Sequence, residues 1–179
     1  MTVAAISLIK RGLWWGGTIA LAATTHLAPA QPVGTASDPE RPANGVAYTL
    51  PEWFKPSFLD FRQDVAEARK QGRQVMVFLH LDNCPWCARM LEENFVRGDN
   101  HDTLRKHFDV IAVNVRGSLE AMWTDGTAYT ERTLARHLGV VGTPTIVILG
   151  DDGRKVVQLN GYQDARTFRS ALDLARRKR

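Results

Sequence analysis

Three features of the sequence predict an α/β domain built in three layers, a central mixed β-sheet with helices on both faces. Helical and strand-like patterns alternate from Tyr48 onward, as a helix-covered sheet requires. The run "QVMVFLHL", Gln74 to Leu81, is continuously apolar, as expected of a strand buried on both sides. "TIVIL" (Thr145 to Leu149) and "KVVQL" (Lys155 to Leu159) flank the turn "GDDG", which reads as an antiparallel hairpin.

The elements follow in order. "SFLDFRQDVAEARKQG" places Phe58, Phe61, Val65 and Ala68 at helical spacing, with Gly72 as its stop. The strand Gln74 to Leu81 comes next. A second helix is expected to start at or just after Cys84 and to run through "WCARMLEENF". Pro85 suits its first turn, where the N–H that proline lacks would be unpaired anyway. "HDTLRKHF" reads as a short helix and "DVIAVNV", Asp109 to Val115, as a strand. "ERTLARHLG" reads as a helix with Thr130 as N-cap and Gly139 as its end. After the hairpin, Phe168, Ala171, Leu172 and Ala175 mark one apolar face of a last helix, with Asp164 near its start.

The N-terminal end reads differently. Lys10 and Arg11 precede "GLWWGGTIALAATTHLAPA", which ends in Ala28-Pro29-Ala30. Positive flank, apolar stretch and small-residue site predict a secretory signal over residues 1–30. A retained membrane anchor is the alternative, although the run falls short of the ~20 apolar residues of a span. Residues 31–50 read as a linker or disordered lead-in, and 51–179 as the folded domain. Losing Lys10 and Arg11 would leave 21 basic against 19 acidic residues. The remaining excess has no basic face with interleaved aromatics, so nucleic acid is not an expected partner. Export would place the chain where disulfides persist.

Both cysteines of the chain lie in "NCPWCARM", Asn83 to Met90. A structural staple gains stability with the length of the loop it closes, and Cys84 and Cys87 enclose only two residues. A metal site needs about four N or S donors. His80, His101 and His107 are the nearest candidates, at no finger-like spacing. Redox chemistry fits better. A cysteine at a helix start meets unpaired N–H groups and the positive end of the dipole. Cys-x-x-Cys pairs so placed have thiol pKa values lowered to roughly 3.5–7.5. Cys84 is expected to be the nucleophile and Cys87, one turn inside, the resolving thiol. Met90 reads as core filler, and Trp86 as an exposed contact for a partner. No cofactor is expected beyond the Cys84–Cys87 disulfide itself.

"VMVFLHLDNCPWCARM" and "GVVGTPTIVIL" resemble the two signature segments of the thioredoxin superfamily. Gly161 in "LNGYQDARTF" resembles the glycine before that family's last helix. The resemblance implies a thioredoxin-like fold in which Pro144 is cis beside the cysteines and the Thr143 backbone pairs with a bound peptide. Within the superfamily, the chain is most similar to SoxW-type periplasmic thioredoxins. That likeness rests on "CPWCARMLEENF", "NVRGSLEAMWTDGTAYTERTLARHLGVVGTPTIVILGDDGRKV" and "NGYQDARTF", within about residues 54–174. It includes an extra segment at about 116–130 that minimal thioredoxins lack. Trp123 and Tyr129 in that segment either rim a partner groove or pack it down.

The resemblance implies a monomeric periplasmic thiol–disulfide oxidoreductase that reduces partner-protein disulfides, with a role in sulfur oxidation. Pro85, Trp86, Thr143 and Pro144 would contact the substrate. A membrane electron carrier of the DsbD/CcdA type would supply electrons. The alternatives are a cytochrome c maturation reductase, a disulfide oxidase, or, from another class, a copper or zinc chaperone. There are departures from the family. Asn83 replaces a tryptophan, and Pro85-Trp86 replaces Gly-Pro. Phe78 stands where relatives keep a buried acid that moves protons to and from the second cysteine. His80 and Glu93 are the candidates for that task.

Overall fold

The computed structural model describes residues 47–179. The expected signal (1–30) and most of the lead-in (31–46) lie outside the described residues. Helix α1 spans Phe61–Lys70. The Asp60 side chain accepts the Arg62 and Gln63 N–H groups at its start, which supplies partners for otherwise unpaired donors. Phe58 falls before this cap and is fully exposed, so it is not part of the helical apolar face. The order continues with β1 (Gln74–His80), α2 (Pro85–Met90) and α3 (His101–His107), with a π-helical stretch, Leu91–Val96, between the two helices. Then come β2 (Phe108–Asn114), β3 (Glu120–Met122), β4 (Ala128–Thr130) and α4 (Glu131–His137). The chain closes with β5 (Thr145–Leu149), β6 (Lys155–Asn160) and α5 (Ala165–Arg177).

The main sheet has the order β2-β1-β5-β6. β1 pairs in parallel with β2 and antiparallel with β5, and β5 pairs antiparallel with β6. The sheet is therefore mixed, with β1 central. All seven β1 residues are buried, which is what its apolar run requires. Alternation along the strands divides the interior into two cores. Met76 and Phe78 point into one with Phe95, Leu104, Phe108 and Phe168 of the π-helical stretch, α3, β2 and α5. Val75, Val77 and Leu79 point into the other with Phe61 of α1 and Leu134 of α4. The first core also holds Cys84, Cys87 and Met90.

The 116–130 segment forms a second, two-stranded sheet, β3 against β4. It is tied to the lead into α1, where the Met122 N–H donates to the Leu59 carbonyl at 2.8 Å. Trp123 is buried against Phe61, with ring centroids 5.0 Å apart. That settles its role as packing rather than a groove rim. Tyr129 stays half-buried and its hydroxyl meets His137 Nδ1 at 3.0 Å. The N-terminal boundary also differs from expectation. Tyr48 and Leu50, within the expected 31–50 lead-in, pack against the first core.

Candidate active site

The site forms where β1 ends and α2 begins. Asn83 adopts φ 57°, a left-handed conformation that asparagine tolerates better than most residues. This turn places Cys84 at the N-cap of α2 and Pro85 in its first turn. Cys84 and Cys87 are joined as a disulfide. Cys84 Sγ accepts the Cys87 N–H at 3.1 Å and the Thr143 hydroxyl at 3.3 Å. Its distance to the Thr143 carbonyl oxygen is 3.7 Å. Cys84 retains 7% of its exposure and Cys87 none. Both donors point at the Cys84 sulfur, an arrangement that would stabilise negative charge there if the disulfide opened.

Thr143 and Pro144 belong to the loop before β5, and the peptide bond between them is cis. The Pro144 carbonyl accepts the Gly161 N–H at 2.8 Å, which fastens this loop to the end of β6. Gly161 has φ 79°, a conformation that favours glycine. Val141, three residues before Pro144, is 89% exposed. The sequence-predicted residues Cys84, Pro85, Cys87 and Thr143 thus meet at one end of the sheet.

Trp86 is half-buried rather than exposed as expected, because it packs against the first core and on Tyr162, with ring centroids 5.6 Å apart. The Arg89 guanidinium sits 4.6 Å from the Tyr162 ring centre and 5.7 Å from that of Trp86. Glu93 joins this group. Its carboxylate pairs with Arg89 at 2.9 Å and accepts the Tyr162 hydroxyl. Burial pushes the Glu93 carboxyl up, but Tyr162 and Arg89 outweigh it and hold it below its ordinary value. Burial and Glu93 together push Tyr162 up to about 12. Glu93 is therefore a charged member of a surface cluster.

His80 is buried at the end of β1. Its ring stacks on Phe78, with centroids 5.8 Å apart at 18°, and its Nδ1 meets the Tyr48 hydroxyl at 2.7 Å. Burial pushes the imidazole below its ordinary value, against the pull of Asp82 and Glu131. Phe78 is fully buried. Two contributors escaped sequence reasoning. Tyr48 falls within the expected lead-in, at the point where the helix and strand pattern begins, and Tyr162 lies far from the cysteines along the chain. Among the described residues, no three His, Cys, Asp or Glu side chains converge where a metal ion could be held.

The fold and the cysteine geometry define a thioredoxin-fold domain with a dithiol–disulfide pair at a helix N-terminus. Residues 61–176 match the family of thioredoxin-like domains, and the chain belongs to that family. A thioredoxin-fold protein from Helicobacter pylori is 22% identical, covers 57% of this chain and 68% of its own, and superposes with a TM-score of 0.51. A thioredoxin from Thermus thermophilus is 28% identical over 64% of this chain and 82% of its own, with a TM-score of 0.49. The oxidised C-terminal domain of DsbD from Neisseria meningitidis is 19% identical over 66% of this chain and 92% of its own, with a TM-score of 0.45. No curated protein matches the chain.

Proposed function

We propose that this chain is an exported, monomeric thiol–disulfide oxidoreductase that reduces disulfides of partner proteins. The observation that carries this is the inequality of the two sulfurs. Cys84 has residual exposure and two donors aimed at it, the Cys87 N–H and the Thr143 hydroxyl. Cys87 is sealed behind it. In the reduced protein, the Cys84 thiolate attacks a partner disulfide. Cys87 then attacks Cys84 Sγ, which releases the reduced partner and re-forms the Cys84–Cys87 bond. The backbone at Thr143 and cis-Pro144 would pair with an extended partner segment, and Pro85 and Trp86 would flank it.

The signal-like sequence of residues 1–30 supports a periplasmic location. The segments "CPWCARMLEENF" and "NGYQDARTF" and the 116–130 insertion support a SoxW-type role. There the protein would keep the cysteine of a sulfur-carrier protein usable, recharged by a membrane electron carrier of the DsbD/CcdA type.

Trapping is the deciding experiment. Cys87→Ser should accumulate mixed disulfides between Cys84 and its partners in periplasmic extracts, and their identification would report the pathway. A sulfur-carrier protein among them supports the SoxW-type role, whereas an apocytochrome c would move the protein to cytochrome maturation. Trapping by Cys84→Ser instead would reverse the two assignments. Insulin-disulfide reduction with dithiothreitol should vanish in either variant, and an inactive parent would sink the reductase proposal.

A further inference from the structure

The resolving step needs a group that takes the Cys87 proton, and Phe78 cannot. Strand alternation puts Met76, Phe78 and His80 on one face of β1, the face that carries the core around Cys84 and Cys87. His80 is one pleat nearer the cysteine loop than Phe78, and its ring lies stacked on the Phe78 ring. The candidate base is thus displaced by two residues along the same face of the same strand.

The hydrogen bonds around His80 fix which of its nitrogens is basic. The Tyr48 hydroxyl donates to the Leu81 carbonyl at 2.8 Å. A carbonyl only accepts, and a tyrosine has a single proton to give. The 2.7 Å contact between Tyr48 and His80 Nδ1 must then be an Nδ1–H donating to the tyrosine oxygen. In the neutral ring this leaves the lone pair on Nε2. We propose that His80, held in this tautomer by Tyr48, takes the Cys87 thiol proton on Nε2 when Cys87 attacks the mixed disulfide. The proposal rests on the roles given above to Cys84 and Cys87.

The step balances. The Cys87 S–H proton moves to Nε2, and the thiolate attacks Cys84 Sγ. The Cys84–partner S–S bond breaks as the Cys84–Cys87 bond forms. The partner sulfur leaves with the electron pair and takes the proton back from Nε2–H. Charged and titratable groups around His80 come from three elements: Tyr48 of the lead-in, Asp82 of the loop after β1, and Glu131 of α4. Asp82 accepts from the Asn114 side-chain amide at 3.0 Å, and Glu131 accepts the Asn114 and Leu119 N–H groups. Glu93 is held by Arg89 and Tyr162. Burial keeps His80 neutral and so able to accept a proton. Tyr48 is a positioning residue, since it acts through His80.

A chromogenic aromatic disulfide separates the steps, because its first coloured thiolate is released by Cys84 attack and its second by Cys87 resolution. In His80→Gln, the second release should slow relative to the first by about a hundredfold or more at neutral pH, the usual range for a general base. The gap should close under alkaline conditions, where hydroxide removes the thiol proton. Tyr48→Phe, which keeps the packing, should slow the second release less. In the unmodified protein, ¹⁵N NMR should find the His80 proton on Nδ1, and Tyr48→Phe should shift that proton partly to Nε2. A second-release rate in His80→Gln equal to the parent's at every pH overturns the proposal, and so does an Nε2–H tautomer in the parent. A parent that releases no coloured thiolate overturns the dithiol assignment itself, which distinguishes the two failures.

Discussion

Two sulfurs three positions apart end in unequal surroundings, and single donors make the difference. The Thr143 hydroxyl is aimed at Cys84 Sγ from a loop far along the chain. A hydrogen bond to a charged acceptor contributes about 1.5–3 kcal/mol. Thr143→Val should therefore slow alkylation of Cys84 in the reduced protein by about tenfold or more, and stopped-flow alkylation would show it. An unchanged rate would mean the hydroxyl does not serve the thiolate. The Cys84 position was legible in the sequence because proline after cysteine marks a helix start. The Thr143 hydroxyl contact was not, since it depends on how β5 lies beside β1. Glu93 gives a second test. Its folded-state pKa is depressed, so its contribution to stability is complete above the ordinary carboxylate range. That contribution is lost as pH falls through the folded value. The urea stability gap between parent and Glu93→Gln should be small, below about 1 kcal/mol for so exposed a pair, and should vanish in acid.

Helices were the most readable elements because their ends are chemically marked. Thr130 caps α4 and forms a reciprocal pair of bonds with Thr133, and Asp164 caps α5 through the Arg166 and Thr167 N–H groups. The β3–β4 hairpin was read only as an extra segment. Its strands have three residues each and half-exposed faces, too short for a period of two to register. The "TDGT" turn was the available signal. Asn94 looks misplaced on a helix of regular period. In the π-helical stretch it is buried, donates to the Gln163 carbonyl at 3.1 Å and accepts from Asn100. The hairpin depends on two buried anchors. Trp123→Ala should cost about 3–5 kcal/mol in urea unfolding through lost packing on Phe61. Glu131→Ala would strip the acceptor from two backbone N–H groups and should cost about 1–3 kcal/mol. Values near zero for both would mean the insertion is loosely attached.

Taken together, the elements separate two cores by one sheet, with the redox pair at the edge of the first. Alternation of helix and strand predicted that layering, because each face of a buried strand needs a cover. Strand order could not be read from periodicity, which has no register between distant segments. Nor could the docking of Tyr48, whose neighbours carry no pattern. Buried histidine also shapes how the folded chain responds to acid. His80 is held below its ordinary value first by burial, and His107 by burial and then by Arg176 and its neighbours. The unfolded chain therefore binds more protons below about pH 6.5. Stability should be full above that point and fall as pH drops through the folded values. Thermal melts should show this decline, and His80→Gln should flatten it. A decline of equal slope in the variant would remove His80 as its source.

β1 is hydrogen-bonded on both sides over most of its length and buried throughout. In the language of amide exchange, such a strand opens only when the whole domain does. Its N–H groups should be the last to pick up deuterium, while those of β3 and β4 exchange through local opening. The cysteine loop thus extends from the strand expected to exchange last among the described residues, and opening or closing the Cys84–Cys87 bond should leave β1 closed.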